Sequence, residues 1–258
     1  LHEHVGENLV ALIHMRGDGQ TFLGEMKDKY TRLQETEGKR IVVIGGSSVA
    51  FALRSDLMEA ELPDYSVVNF GMYASLGTKV MLDLSRDWIR PEDIVIIMPE
   101  QDPQTLSLYF NAEPMWQASD GCFEMLSSLD EEEMTAMVGS YPKFAASKFE
   151  YWMNDAAPQP EGVYKESSFN AYGDIDYDGR FQNVMRNGWD SNTPIRFERA
   201  CVEAAFIDYL NDYASELKNS GAQVYYYFCP MIEYSINNSF FIFYSYFFFY
   251  LFFIFIFF

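Results

Sequence analysis

The chain has 258 residues, enough for one large α/β domain or two small ones. Its 18 Lys and Arg stand against 38 Asp and Glu, a formal net charge of −20 that argues against nucleic acid or an anionic membrane surface as partner. The cysteines, Cys122, Cys201 and Cys229, are far apart and form no C-x-x-C, so buried free thiols are expected rather than a disulfide framework or a zinc site.

Residue 1 is Leu rather than Met, so the true amino terminus, with any signal peptide or anchor, is expected upstream. Residues 5–36 read as helical, with Phe22, Met26, Tyr30 and Leu33 on one stripe and Gly38 as the stop. Arg40 to Ile44 is the first strand; its β-branched run suits burial on both faces. A helix is expected from about Val49 to Leu62 with Leu53, Leu57 and Met58 inward, ended by Pro63-Asp64. Val67 to Phe70 forms a second strand. Leu76, Val80, Met81, Leu84 and Trp88 then trace a helical stripe, and Ile94 to Met98 is a third strand. This alternation predicts a three-layer α/β sandwich with a mainly parallel sheet and right-handed crossovers.

From about 103 to 194 the alternation is lost, and a helical insertion is expected there, with helices near 129–138 and 143–153. A helix resumes near Ile195 with Val202, Phe206, Tyr209, Tyr213 and Leu217 on one face, and Val224 to Phe228 is a fourth strand. The expected organisation is an amino-terminal helical segment (1–38), an α/β domain (39–232) and an aberrant apolar tail (233–258). Residues 239–258 contain only Ser, Phe, Ile, Tyr and Leu, 11 of them Phe. That run is long enough to span a bilayer. Yet no Lys or Arg follows Lys218 to orient a span, and its A/T-rich-codon composition equally fits out-of-frame translation.

The segment richest in chemical information is Ile41-Val-Val-Ile-Gly-Gly-Ser-Ser-Val-Ala-Phe51. Two glycines let the backbone turn sharply, and two serines follow where a helix starts and where parallel sheets place ligands. Either serine can be a helix cap or a nucleophile. The glycine spacing fits no dinucleotide fingerprint, and no Gly-Lys-Ser/Thr follows to make a phosphate loop. The histidines, His2, His4 and His14, all precede the serines, so no base is evident.

Three blocks in order, residues 41–51, Val67-Val-Asn-Phe-Gly-Met-Tyr-Ala74 and Asp93-Ile-Val-Ile-Ile-Met-Pro-Glu-Gln-Asp102, resemble the SGNH/GDSL hydrolase superfamily, in its bacterial cell-surface esterase and acyltransferase-like branch. The resemblance covers about residues 39–102, and 197–230 loosely. It implies a flavodoxin-like α/β fold and a Ser47 nucleophile, with Ser48 as the next candidate and Gly46 standing where the family has Asp. It also implies an oxyanion hole from the Ser47 and Ala74 amides, helped by the Gln101 side chain beside Glu100. The substrates implied are acylated cell-surface glycans or other small esters, at an extracytoplasmic, membrane-associated location reached through an upstream anchor or the apolar tail. The family's Asp-x-x-His block is absent, so impaired hydrolysis is expected from this chain, the alternative being a non-catalytic binding or assembly protein. His14 or His4 would have to reach Ser47 from the amino-terminal helix.

No organic cofactor is expected. Gly173-Asp-Ile-Asp-Tyr-Asp-Gly179 places Asp174, Asp176 and Asp178 with the alternation of a half calcium loop. Met185 stands where the bidentate Glu belongs, leaving Asp190 as the candidate extra acid and a solvated acidic loop as the plainer alternative. Tyr109, Phe110, Trp116 and Trp152 are candidates for stacking on sugar rings or for core packing.

Overall fold

The computed structural model describes residues 21–154, 162–176 and 202–229. Helix α1 (Met26–Glu35) leads into β1 (Arg40–Gly45), and two short helices follow, α2 (Ser47–Ala52) and α3 (Ser55–Glu61). Then come β2 (Ser66–Gly71), α4 (Thr78–Arg86) and β3 (Ile94–Met98). Beyond β3 lie α5 (Ala112–Ala118), α6 (Glu131–Met153), α7 (Ala204–Asn219) and β4 (Gln223–Tyr226). The four strands form one all-parallel sheet in the order β2-β1-β3-β4, the expected α/β sandwich.

Crossover handedness decides which helix lies on which face. The step from β1 to β2 runs one way along the sheet; the steps β2 to β3 and β3 to β4 run the other way. Right-handed connections therefore put α2 and α3 on one face and α4 and α7 on the opposite one. Side-chain alternation along β1 agrees. Val42 and Ile44 join a large core with Val68, Phe70, Val95, Ile97, Met81, Tyr213 and the α1 residues Met26, Tyr30 and Leu33. Ile41 and Val43 face a much smaller cluster with Val67 and Val49. All six residues of β1 are buried, as its composition predicts.

A buried ion pair closes the amino-terminal edge of the sheet. Arg40 Nε donates to Asp93 Oδ1 at 3.1 Å, and its other nitrogens donate to the Leu33 and Trp88 carbonyls. With its donors engaged, the guanidinium tolerates complete burial.

Two local expectations change. The helix expected over 49–62 is broken between Ala52 and Ser55, where Leu53 is extended. The break resets the helical phase, so Leu57 is exposed rather than inward. Conversely, the two helices near 129–138 and 143–153 are one 23-residue helix, α6, running through Pro142. Pro142 removes the bond to the Val138 carbonyl, and Val138 is exposed, where water can serve that carbonyl. The described part of the insertion is core as much as cover: Met115, Trp116, Met125 and Met137 are buried in the main cluster.

Candidate functional site at the carboxyl edge of the sheet

In a doubly wound sheet, ligands bind outside the carboxyl ends of the strands, where the strand order reverses. Here that point lies between β1 and β3, whose ends, Gly45 and Met98, are paired. The chain leaves β1 through Gly46-Ser47-Ser48 and leaves β3 through Pro99-Glu100-Gln101. These two loops meet. Glu100 Oε1 accepts a hydrogen bond from the Ser48 amide at 2.7 Å and lies 3.4 Å from the Ser47 hydroxyl. Its other oxygen, Oε2, is buried and accepts no hydrogen bond among the described residues.

Gly46 makes this arrangement possible. A Cβ at that position would lie 1.9 Å from Glu100 Oε2 and 2.4 Å from the carboxyl carbon, so the carboxylate occupies the space a side chain would need. Thr105 steadies the other side, donating through Oγ1 to the Glu100 carbonyl. Ser48 turns away from Ser47: its Oγ is 2.9 Å from Cys229 Sγ, just after β4, and that thiol donates to the Met98 carbonyl at 3.1 Å. Burial pushes the Cys229 thiol up to about 11; the Ser48 hydrogen bond pulls the other way and the nearby Glu100 charge adds to the rise. The thiol is therefore protonated at neutral pH.

Ala74 lies at the same edge, opening the single turn Ala74–Leu76 after β2. Gln101 follows Glu100 directly and is half-buried. Of the backbone donors near the serines, the Ser48 amide is committed to Glu100. Glu100 is the group that sequence reasoning passed over. The missing side chain at Gly46 is its one signal in the sequence.

An aromatic cluster begins on the helix that Ser47 opens. Phe51, one turn after Ser47 on α2, Tyr73, Tyr164, Phe22 and Phe169 form a cluster with centroid separations of 4.9–6.3 Å. Tyr73 and Tyr164 remain 43% and 41% exposed. Among the rings singled out from sequence, Trp116 is core: it stacks on Phe144 and donates to the Met137 carbonyl and the Ser140 hydroxyl. Trp152 is exposed beside Phe149, and Tyr109 and Phe110 are half-buried.

Of the acids of the candidate calcium run, Asp174 and Asp176 are among the described residues. Asp174 is completely buried, and its carboxylate accepts from the Ser55 amide (2.8 Å), the Ser55 hydroxyl (2.7 Å) and Asn69 Nδ2 (2.7 Å). These bonds give Asp174 a structural task, holding α3 to β2. Asp176 is exposed. Asp178, Met185 and Asp190 lie outside the described residues, as do His2, His4, His14, Cys201 and the tail from 230 onward. No group of three or more His, Cys, Asp or Glu able to hold a metal ion occurs among the described residues. Nor is any helix among them long and apolar enough to cross a membrane.

A separate groove of about 600 Å³ lies between α1 and residues 166–173, with Phe169 of the aromatic cluster in its wall. Lys29 is buried there and donates to the Asn69 and Gly173 carbonyls, and burial lowers its pKa to about 8. Glu25, one turn earlier, is 6% exposed, and burial raises its carboxyl to about 8 against the opposing pull of Lys29.

No protein-family model matches the chain, and no curated protein or solved structure matches it either.

Proposed function

We propose that the chain carries a serine acyl-transfer site of the SGNH type, with Ser47 as the nucleophile of an O-acyl esterase or acyltransferase. The observation that carries this proposal is the Ser47 hydroxyl held 3.4 Å from a carboxylate at the switch point of a parallel sheet. A hydroxyl in that position can attack an ester carbonyl while the neighbouring amides and Gln101 hold the developing negative charge. The exposed rings of Tyr73 and Tyr164 offer apolar faces on which a pyranose can stack, in keeping with an acylated glycan as substrate. The extracytoplasmic, cell-surface setting is part of the same proposal and rests on the sequence resemblance.

A fluorophosphonate, which traps activated serines covalently, tests the nucleophile. Intact-mass and peptide analysis should place one adduct on Ser47, and Ser47→Ala should abolish it. A folded wild-type protein that gives no adduct would make the chain a binding or assembly protein rather than an acyl-transfer enzyme.

A further inference from the structure

We infer that Glu100 is the general base at Ser47, filling the position left by the absent histidine block; this inference rests on the acyl-transfer proposal above. Four observations converge on it. Glu100 Oε1 is the carboxylate oxygen facing the Ser47 hydroxyl, at 3.4 Å. That separation is longer than a tight O–H···O bond, but catalytic pairs commonly shorten only once substrate is bound. The carboxylate is also held in place, because the Ser48 amide grips Oε1 at 2.7 Å.

Third, the turn is built around the carboxylate, since only a residue without a Cβ leaves room for it at position 46. Fourth, Oε2 is buried and receives no hydrogen bond among the described residues. Leaving a buried acceptor unpaired ordinarily costs about 1–3 kcal/mol, so such an oxygen calls for an explanation. A carboxylate that must take up the Ser47 proton through Oε1 supplies one, because with Oε2 unpaired the group is not already fully engaged by donors. The neighbouring groups do not compete for the role. The Cys229 thiol is buried and engaged with Ser48 and the Met98 carbonyl, and the Ser48 hydroxyl faces Cys229 rather than the carboxylate.

The proton balance is straightforward. As the Ser47 Oγ–carbon bond forms, the hydroxyl proton passes to Glu100 and the carbonyl π electrons move onto the carbonyl oxygen. Collapse of the tetrahedral species breaks the bond to the leaving alkoxide, which takes the proton from Glu100 and departs as an alcohol. A water, or a sugar hydroxyl in a transferase, then gives its proton to Glu100 and attacks the acyl-serine. Glu100 returns that proton to Ser47 Oγ as the serine leaves.

The test follows the second-order rate of fluorophosphonate labelling at Ser47 as a function of pH, on the full chain. General-base assistance is worth about 10²–10⁴-fold. Glu100→Gln, which keeps the size of the side chain and an oxygen for the Ser48 amide, should slow labelling by about that factor and remove the acid-side fall in rate shown by wild type. Glu100→Asp should label at an intermediate rate and keep the acid-side fall, a pattern that a purely structural role would not give. It also serves if the Gln variant fails to fold. Ser47-specific labelling that is equally fast in the Glu100 variants would overturn the assignment of the base and leave the nucleophile standing. Absence of Ser47 labelling in wild type would overturn both.

Discussion

Replacing Gly46 by Ala is the most direct probe of how the Glu100 seat is built. The new methyl would lie 1.9 Å from Oε2 and 2.4 Å from both Oε1 and the carboxyl carbon, so the carboxylate must swing away. Doing so breaks the 2.7 Å bond from the Ser48 amide, a charge-assisted bond worth about 1.5–3 kcal/mol. Against this, an alanine restricts the unfolded chain and returns about 0.4–1 kcal/mol. The backbone φ of −93° poses no left-handed strain to it. Gly46→Ala should therefore destabilise the protein by about 1–2 kcal/mol in urea titrations at constant m-value. Glu100→Ala should cost about 1.5–3 kcal/mol through the same lost bond. In the double variant the methyl meets no carboxylate, so adding Gly46→Ala to Glu100→Ala should be neutral or slightly stabilising. That reversal of sign amounts to a coupling of about 2 kcal/mol. Additive losses within about 0.5 kcal/mol would show that the two residues do not share this space and would refute the reasoning.

Two further outcomes follow from the buried polar groups. Asp174→Ala strands the Ser55 amide, the Ser55 hydroxyl and Asn69 Nδ2, and should cost roughly 3–5 kcal/mol, read as a Tm lowered by roughly 6–20 °C; a fall below about 2 °C would show that these donors find other partners. Glu25 titrates near 8 in the fold but near 4.5 when exposed, so between those values the folded state holds a proton that the unfolded state has lost, and stability falls as pH rises through the window. Lys29 is lowered to about 8, so between about pH 8 and 10.5 the unfolded state holds the extra proton and the Lys29 contribution to stability rises with pH. Glu25→Gln should thus flatten the decline in stability between about pH 4.5 and 8 relative to wild type. An unchanged pH profile of urea midpoints would contradict the burial of that carboxyl.

The sheet and its main stripe of core residues were legible because they are local and periodic. Ile41 to Ile44, Val67 to Phe70 and Ile94 to Met98 are short β-branched runs, and Leu76, Val80, Met81 and Leu84 recur at helical spacing and are all buried. Ser47 at a sheet edge was legible for the same reason, since a strand followed by Gly-Gly-Ser-Ser fixes where the serine must lie. What depended on pairing across the fold was not legible. Glu100 acquires its place only because position 46, in the turn after a different strand, lacks a side chain. The resemblance implies an Asp at that position; the structure returns a carboxylate to the same space from the loop after β3. The alternation of Asp174 with Asp176 makes it a candidate cation ligand and gives no hint of the donors it meets on α3 and β2, more than 100 residues earlier. Leu57 was misplaced because a helical stripe assumes an unbroken helix, and the chain is extended at Leu53.

The two faces of the sheet are unequally furnished, and the serines stand on the poorer side. On that side Val49 of α2 joins a cluster of only four buried residues, with Ile41, Val43 and Val67, and α2 adds just Ala50 and the edge of Phe51 to the main core that α1, α4, α5, α6 and α7 share. Polar fasteners make up part of the difference: Ser55 to Asp174, Asn69 to the Val49 carbonyl, and the Ile175 amide to the Ala50 carbonyl. Detaching that layer exposes little apolar surface, so it costs far less free energy than melting the domain. Amide protons on α2 should therefore exchange by sub-global opening while those of β1 wait for global unfolding. Occupancy by a substrate would be felt first as slower exchange along the helix that begins at Ser47.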